Sequence, residues 1–294
     1  MTKLTPEHNE NEILDRLNWL PGHMILAKKE IKKSINLVDI IIEVRDARVP
    51  LVSGNKAIYE SGGTKPYLIV FNKTNLADPK AIKLWQEWLK KQKESFIFIN
   101  AMDKGSIKTI IKRIKEILSK RNFSKKEMSV MILGLPNTGK STIINKLSGR
   151  NATKAASTPG QTKIKLWVKA DKDLRILDTP GVMPPVIHKQ VHSMWLSAVH
   201  AIPDHIITPE YSAPFIVEFL LRAKSKTFQD FYKFESLDID LETVLEHIGK
   251  RRGCLISGGG FDYEYIYKII LTDFRKGSLG LINFELPPLN LRVD

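Results

Sequence analysis

The chain has 294 residues, 43% hydrophobic and 27% charged, which suits two globular domains without disulfide support and leaves no apolar run long enough to cross a membrane. Its formal net charge of +14 points to a polyanionic partner, against the plain alternative of a lysine-rich solvated surface. From residue 201 onward 11 Lys+Arg meet 14 Asp+Glu, so the basic excess lies in the first 200 residues. A single cysteine, Cys254, excludes an internal disulfide and a cysteine-ligated metal cluster and fits a reducing compartment.

The opening MTKLTPEHNENEILDRLNWL lacks the basic start and apolar middle of a secretory signal, so a cytoplasmic protein is expected, with no membrane association. After an N-terminal segment 1–36, VDIIIEV (38–44) is the first of six short apolar, β-branched runs. Such runs do not alternate polar with apolar, which predicts strands buried on both faces of a mostly parallel sheet. YLIVF (67–71) follows and ends in NKTN, Asn72 to Asn75. Residues 79–93 carry Ile82, Trp85, Trp88 and Leu89 at helical spacing behind Pro79, placing both tryptophans in the core. FIFI (96–99) runs into NAMDKGS (100–106), and the helical pattern repeats over 106–118. The polar SKRNFSKKE (119–127) reads as a loop. SVMILGL (129–135) leads to GLPNTGKS (Gly134 to Ser141) and the amphipathic TIINKLSG. A polar stretch containing STPGQT (157–162) precedes IKLWVKA (164–170), LRILD (174–178) and DTPG, Asp178 to Gly181. Beyond about residue 203 apolar residues recur at helical spacing over 213–223, 239–248 and 261–274. The expected organisation is an α/β domain over 1–202 and a small all-helical domain over 203–294. KRRGCLISGGG (250–260) reads as a glycine-rich helix connection more than as a phosphate loop, because no lysine-serine pair follows its glycines.

GLPNTGKS matches G-x-x-x-x-G-K-[ST] between a strand and a helix, the context a P-loop needs. Pro136, Asn137, Thr138 and Gly139 shape a loop whose N–H groups point at phosphates, Lys140 adds a cation, and Ser141, followed by Thr142, offers a hydroxyl to Mg2+. Asp178 ends a strand where it can hold the metal through water, Gly181 N–H can sense a γ-phosphate, and Thr162 is placed to complete the Mg2+ shell as a switch. A plain turn at Pro159 and Gly160 is the competing reading of that segment. Guanine is usually chosen by an N-K-x-D element after a strand, and the candidates here are Asn72, Lys73 and Asn75. Asn100 and Ala101 open a segment like the S-A-K element whose N–H groups touch the base. The base elements precede the P-loop, which describes a circularly permuted GTPase; joining nearby old termini makes that order tolerable.

In this order the motifs resemble the YlqF/RbgA family, ribosome biogenesis GTPase A, over nearly the whole chain. The matching residues are LPGHM (20–24), DARVP (46–50), NKTN, GLPNTGKS, PGQT (159–162), DTPG and RRG…GG…DFRKGSLG (251–280). The resemblance implies a circularly permuted P-loop GTPase domain with a helical C-terminal domain, GTP and GDP as ligands, and binding to late precursors of the large ribosomal subunit through rRNA. A monomer is expected.

Asn75 stands where the family pattern has aspartate, so one of two charge-assisted bonds to guanine is expected to be lost, unless a neighbour such as Asp78 replaces it. Val182 and Met183 follow DTPG, where many GTPases have a water-orienting glutamine. The resemblance implies His23 of LPGHM as the supplier, while a helix-start or RNA-contact role is the alternative. Asn137 looks like the asparagine that coordinates K+ in related GTPases; a loop-shaping role competes. His188, His192, His200 and His205 lack nearby cysteines or clustered acids and read as part of a helix, not a metal site. A nucleotide-gated RNA scaffold with little hydrolysis is the rival to a hydrolase, and a P-loop ATPase or kinase is a third reading.

Overall fold

The computed structural model describes residues 33–55, 62–121, 123–149, 166–178, 187 and 189–288. Six strands follow the apolar runs: β1 Ile40–Asp46, β2 Tyr67–Asn72, β3 Phe96–Phe98, β4 Met128–Gly134, β5 Leu166–Asp171 and β6 Leu174–Asp178. They form one sheet in the order β3-β2-β1-β4-β6-β5, parallel except for the β5–β6 pair. Every residue of β1 and β4 is buried, as expected of central strands covered on both faces.

Helices cover the sheet where the periodicity places them: α1 Pro79–Lys91, α2 Lys104–Ser119 and α3 Lys140–Ser148. On one face Ile40, Ile42 and Val44 of β1 and Val130 and Ile132 of β4 pack with Ile110 and Ile114 of α2 and Ile143, Ile144 and Leu147 of α3. On the other, Ile69 and Phe71 of β2 cluster with Leu89, with Ile82 and Trp88 packed alongside. Trp85 is fully buried and meets the edge of half-buried Trp88 at 5.6 Å. Asp78 caps α1 by accepting from Lys80 N at 2.8 Å, and Pro79 fills the first helical position, where no N–H is needed. A charged pair lies within the sheet: Glu43, fully buried, accepts from Arg45 Nε at 2.7 Å and from Asn55 N at 2.6 Å.

Among the described residues five helices follow: α4 Gln190–Ala198, α5 Pro209–Arg222, α6 Lys226–Tyr232, α7 Leu241–Arg252 and α8 Tyr263–Lys276. Asp240 and Asp262 cap α7 and α8 through Thr243 N and Tyr265 N, and Gly253 and Gly277 end them in the left-handed conformation. The loop after α7 closes with an antiparallel bridge between Leu255 and Phe261, so KRRGCLISGGG is a helix connection. The motif DFRKGSLG is structural here. Asp273 accepts from Tyr232 Oη at 2.8 Å and Arg252 at 2.6 Å, and Arg275 donates to the Ser197 and Ala198 carbonyls at the end of α4 while pairing with Asp204 at 2.6 Å.

These contacts divide the chain differently from the expected break between 202 and 203. Residues Ile187–Ile282 form one compact unit, because α4 packs on α5 and is tied to α8 through Arg275. Residues 283–288 belong with the sheet. Asn283 Nδ2 donates to Ala47 O and its Oδ1 accepts from Asp78 N, both at 2.8 Å. Phe284 N donates to Arg48 O at 3.0 Å, and Glu285 Oε1 accepts from Leu51 N at 2.5 Å and Val52 N at 3.1 Å.

Candidate functional site

Parallel strands aligned in register bring the motifs to one edge. Asp46 pairs with Asn72, Val44 with Gly134 and Ile132 with Asp178, so β1, β2, β4 and β6 all end on the same side of the sheet. That carboxyl edge is where open α/β sheets hold ligands.

Between β4 and α3 the chain turns through Leu135 to Gly139. Gly134 has φ 146° and a Cβ there would lie 2.2 Å from Val44 O, so only glycine admits the close passage of β1. Gly139 has φ 99° and a Cβ there would lie 2.1 Å from Asn72 Nδ2. Thr138 is buried and its hydroxyl donates to Leu135 O at 2.9 Å, closing the loop on itself. Lys140 opens α3 and donates to the same carbonyl at 2.6 Å. The first turn of α3 also carries Ser141, exposed, and Thr142, half-buried. Backbone N–H groups at a helix start, a lysine and a hydroxyl together form a seat for phosphate.

Asn72 joins this loop to the base elements. Its Nδ2 donates to Thr138 O and its Oδ1 accepts from Ala101 N, both at 2.9 Å. Lys73 follows in the left-handed conformation at φ 64° and precedes a 3-10 turn, Thr74–Leu76. Its Nζ lies 3.0 Å from Asp46 Oδ2, and Arg48 grips the same carboxylate through Nε and Nη2 at 2.9 and 2.8 Å. Burial alone would push Asp46 upward, but Arg48 and Lys73 together hold its carboxyl well below the usual carboxylate range. The DARVP motif thus fixes the lysine of NKTN from behind.

Asn72, Lys73, Asn75, Asn100, Ala101, Asn137, Gly139, Lys140, Ser141 and Thr142 line one cavity of about 390 Å³, joined by Leu76 and Met102. Its size suits a nucleotide. The sequence reading missed Met102 and Lys146: Lys146 Nζ of α3 donates to Met102 O at 2.5 Å, tying the base loop to the helix after the P-loop. Only the adjacency of α2 and α3 brings these two together, and no motif announces it. Pro136 is half-buried in the P-loop, and Asp178 stands at the end of β6, its backbone paired with Ile132; the Asp178 side chain lies outside the described residues. His23, Thr162, Gly181 and His188 also lie outside them. His192 tilts against Trp195 at 5.1 Å and His200 Nε2 is 4.0 Å from Asp204. Asp78, the neighbour considered as a substitute for aspartate at position 75, spends its carboxylate on the cap of α1.

The profile of a family described as 50S ribosome-binding GTPase matches residues 129–228. The chain is 34% identical over 279 residues to ribosome biogenesis GTPase A of Bacillus cereus, covering 92% of this chain and 94% of that protein. It is 32% identical to ribosome biogenesis GTPase A of Thermotoga maritima over 92% of this chain and 95% of that protein. The crystal structure of GNP-bound YlqF from T. maritima superposes with a TM-score of 0.67 at 30% identity, covering 89% of this chain and 98% of that one.

Proposed function

Since the chain belongs to the ribosome biogenesis GTPase A family, and is accordingly a GTP-binding ribosome-assembly GTPase, we propose that it acts late on the large ribosomal subunit and uses hydrolysis as a release signal. The GTP form docks on rRNA of an immature large subunit, the subunit stimulates hydrolysis, and the GDP form leaves. The observation that carries this reading is the single cavity in which the phosphate loop and the base elements are latched together by Asn72. A supporting one is the stripe of exposed lysines on α2, Lys108, Lys112 and Lys115, spaced as one helical face should be for a phosphate backbone.

In this proposal Lys140 leaves the Leu135 carbonyl for the phosphates, and Ser141, Asp178 and Thr162 hold Mg2+. Ser141 fits that task, being an exposed hydroxyl at the cavity wall. Bound Mg2+ would offset phosphate charge during transfer. Asn137, in the left-handed conformation at φ 57° and on the cavity wall, is the proposed contact for K+. His23 is the proposed group that orients the attacking water, Gly181 the sensor of the γ-phosphate. The protein works as a cytoplasmic monomer without a membrane.

The test is GTP turnover with and without purified large subunits in potassium buffer. Strong subunit-dependent stimulation is expected, abolished by His23→Ala with nucleotide affinity kept. Tight subunit binding without stimulation would replace the timer by a nucleotide-gated scaffold, the outcome that Val182 and Met183 favour.

A further inference from the structure

We infer that Asn75 turns the base end of the cavity toward a 2-oxopurine, so that this chain holds a xanthine nucleotide more tightly than the guanine nucleotide. The inference rests on the reading of the cavity as the nucleotide site. Asn75 is exposed at the cavity wall, in the 3-10 turn that Lys73 introduces. Among the described residues, no aspartate or glutamate lines the cavity.

The described acids that flank the NKTN and NAMDKGS segments have partners of their own. Asp78 caps α1 through Lys80 N, and its own N–H is held by Asn283. Asp46 is buried between Arg48 and Lys73. Asp103 accepts from Asn100 Nδ2 at 3.0 Å. Any polar recognition of the base edge by the NKTN turn therefore falls to a neutral amide.

Guanine presents two adjacent donors on that edge, the ring N1–H and the 2-amino group. A carboxylate, which only accepts, satisfies both; an amide accepts through Oδ1 and donates through Nδ2. Against guanine, one half of the amide bonds N1–H and the other sets N–H against N–H. Xanthine keeps the N1–H and replaces the amino group with a carbonyl, giving the donor and acceptor pair that an amide complements. Hypoxanthine offers N1–H alone and should fall between. Exchanging an opposed donor pair for a formed bond changes affinity by roughly 10- to 100-fold. The P-loop N–H groups and Lys140 address phosphate and ignore the base, so GTP is still bound and hydrolysed.

The experiment is calorimetric titration of GDP, XDP and IDP into the full chain and into Asn75→Asp, with the melting temperature of the variant as a check on folding. The expected order for the native chain is XDP tightest, by about 10-fold or more over GDP, with IDP between. In Asn75→Asp that order should reverse. Tighter GDP than XDP in the native chain, or an order indifferent to the substitution, overturns the inference. Lys140→Ala, run in parallel, should weaken all three diphosphates alike. Undiminished binding there would mean that the nucleotide sits elsewhere, which removes the site and the inference with it, and is recognisable whatever the base order.

Discussion

Asn72→Ala should loosen the site without touching the phosphate seat directly. The side chain holds Thr138 O and Ala101 N, two backbone groups of buried residues, each at 2.9 Å. Deleting both bonds costs about 1 to 3 kcal/mol for each group left without a partner, and water entering from the cavity recovers part of this, so a net loss of about 2 to 3 kcal/mol is expected. Since 1.4 kcal/mol is tenfold, expressing that loss in binding weakens GDP by roughly 30- to 140-fold. The control is Asn72→Asp, which still accepts from Ala101 N but sets a carboxylate against the Thr138 carbonyl. Both variants should bind GDP weakly in calorimetry, and Asn72→Ala should also unfold at lower urea. Affinity within twofold of native, with unchanged urea midpoint, would refute the claim that this residue latches the two halves of the site.

Other outcomes follow from charges and caps. Burial pushes the Glu285 carboxyl up to about 7, with the Val52 and Leu51 N–H groups and Arg45 pulling the other way. A folded value above the unfolded one means its stabilising contribution is complete below about 4.5 and lost as pH rises through about 7. Glu285→Gln keeps an acceptor for the same N–H groups, so it should flatten that slope and raise stability at about pH 8 by on the order of 2 kcal/mol, read as urea midpoints at pH 5 and 8. Glu43→Ala strands the Arg45 guanidinium inside the sheet and should cost about 3 to 5 kcal/mol in urea unfolding. Arg275→Ala frees the end of α4 and should raise hydrogen exchange over 190–198 while leaving β1 and β4 protected. Gly139→Ala, which drives a Cβ toward Asn72 Nδ2 at positive φ, should weaken GDP binding at least as much as Asn72→Ala.

The sheet was legible because its physics is local. Runs such as VDIIIEV and SVMILGL cannot be solvated on either face, and each emerged as a buried parallel strand within two residues of the expected bounds. α1 and α2 were equally plain, since Trp85, Leu89, Ile110 and Ile114 recur at the helical period. The helix α6 was not predicted as an element, and α4 was expected only as the helix carrying the His188 to His205 cluster, without bounds. α6 has only seven residues, too few turns for a period to show, and what secures it is the Ser225 cap and the burial of Phe228 and Tyr232. The tie that joins α4 to α8 was not legible for a related reason: Arg275 bonds carbonyls 77 and 78 residues earlier in the chain, a partnership that no window of sequence displays.

At the site, what spacing conveys is identity, and what folding adds is restraint. GLPNTGKS names its own phosphate groups because any chain that wraps a phosphate needs glycines where backbone approaches backbone, here at Val44 O. Nothing in NKTN shows that its lysine is backed by Asp46, that Asp46 is clamped by Arg48, or that Arg48 receives Phe284 N from the end of the chain. Yet that sequence of contacts runs from residue 284 to the base loop, and Asn283 extends it by holding Asp78 N. In the sheet β2 and β4 meet β1 from opposite sides and share no edge, so side chains carry the alignment between their loops. Asn72 across the front and Lys73, Asp46 and Arg48 across the back supply it. Asn75 is outside both sets of bonds and lines the cavity, which is why it is free to change the base without disturbing the frame that holds the phosphates.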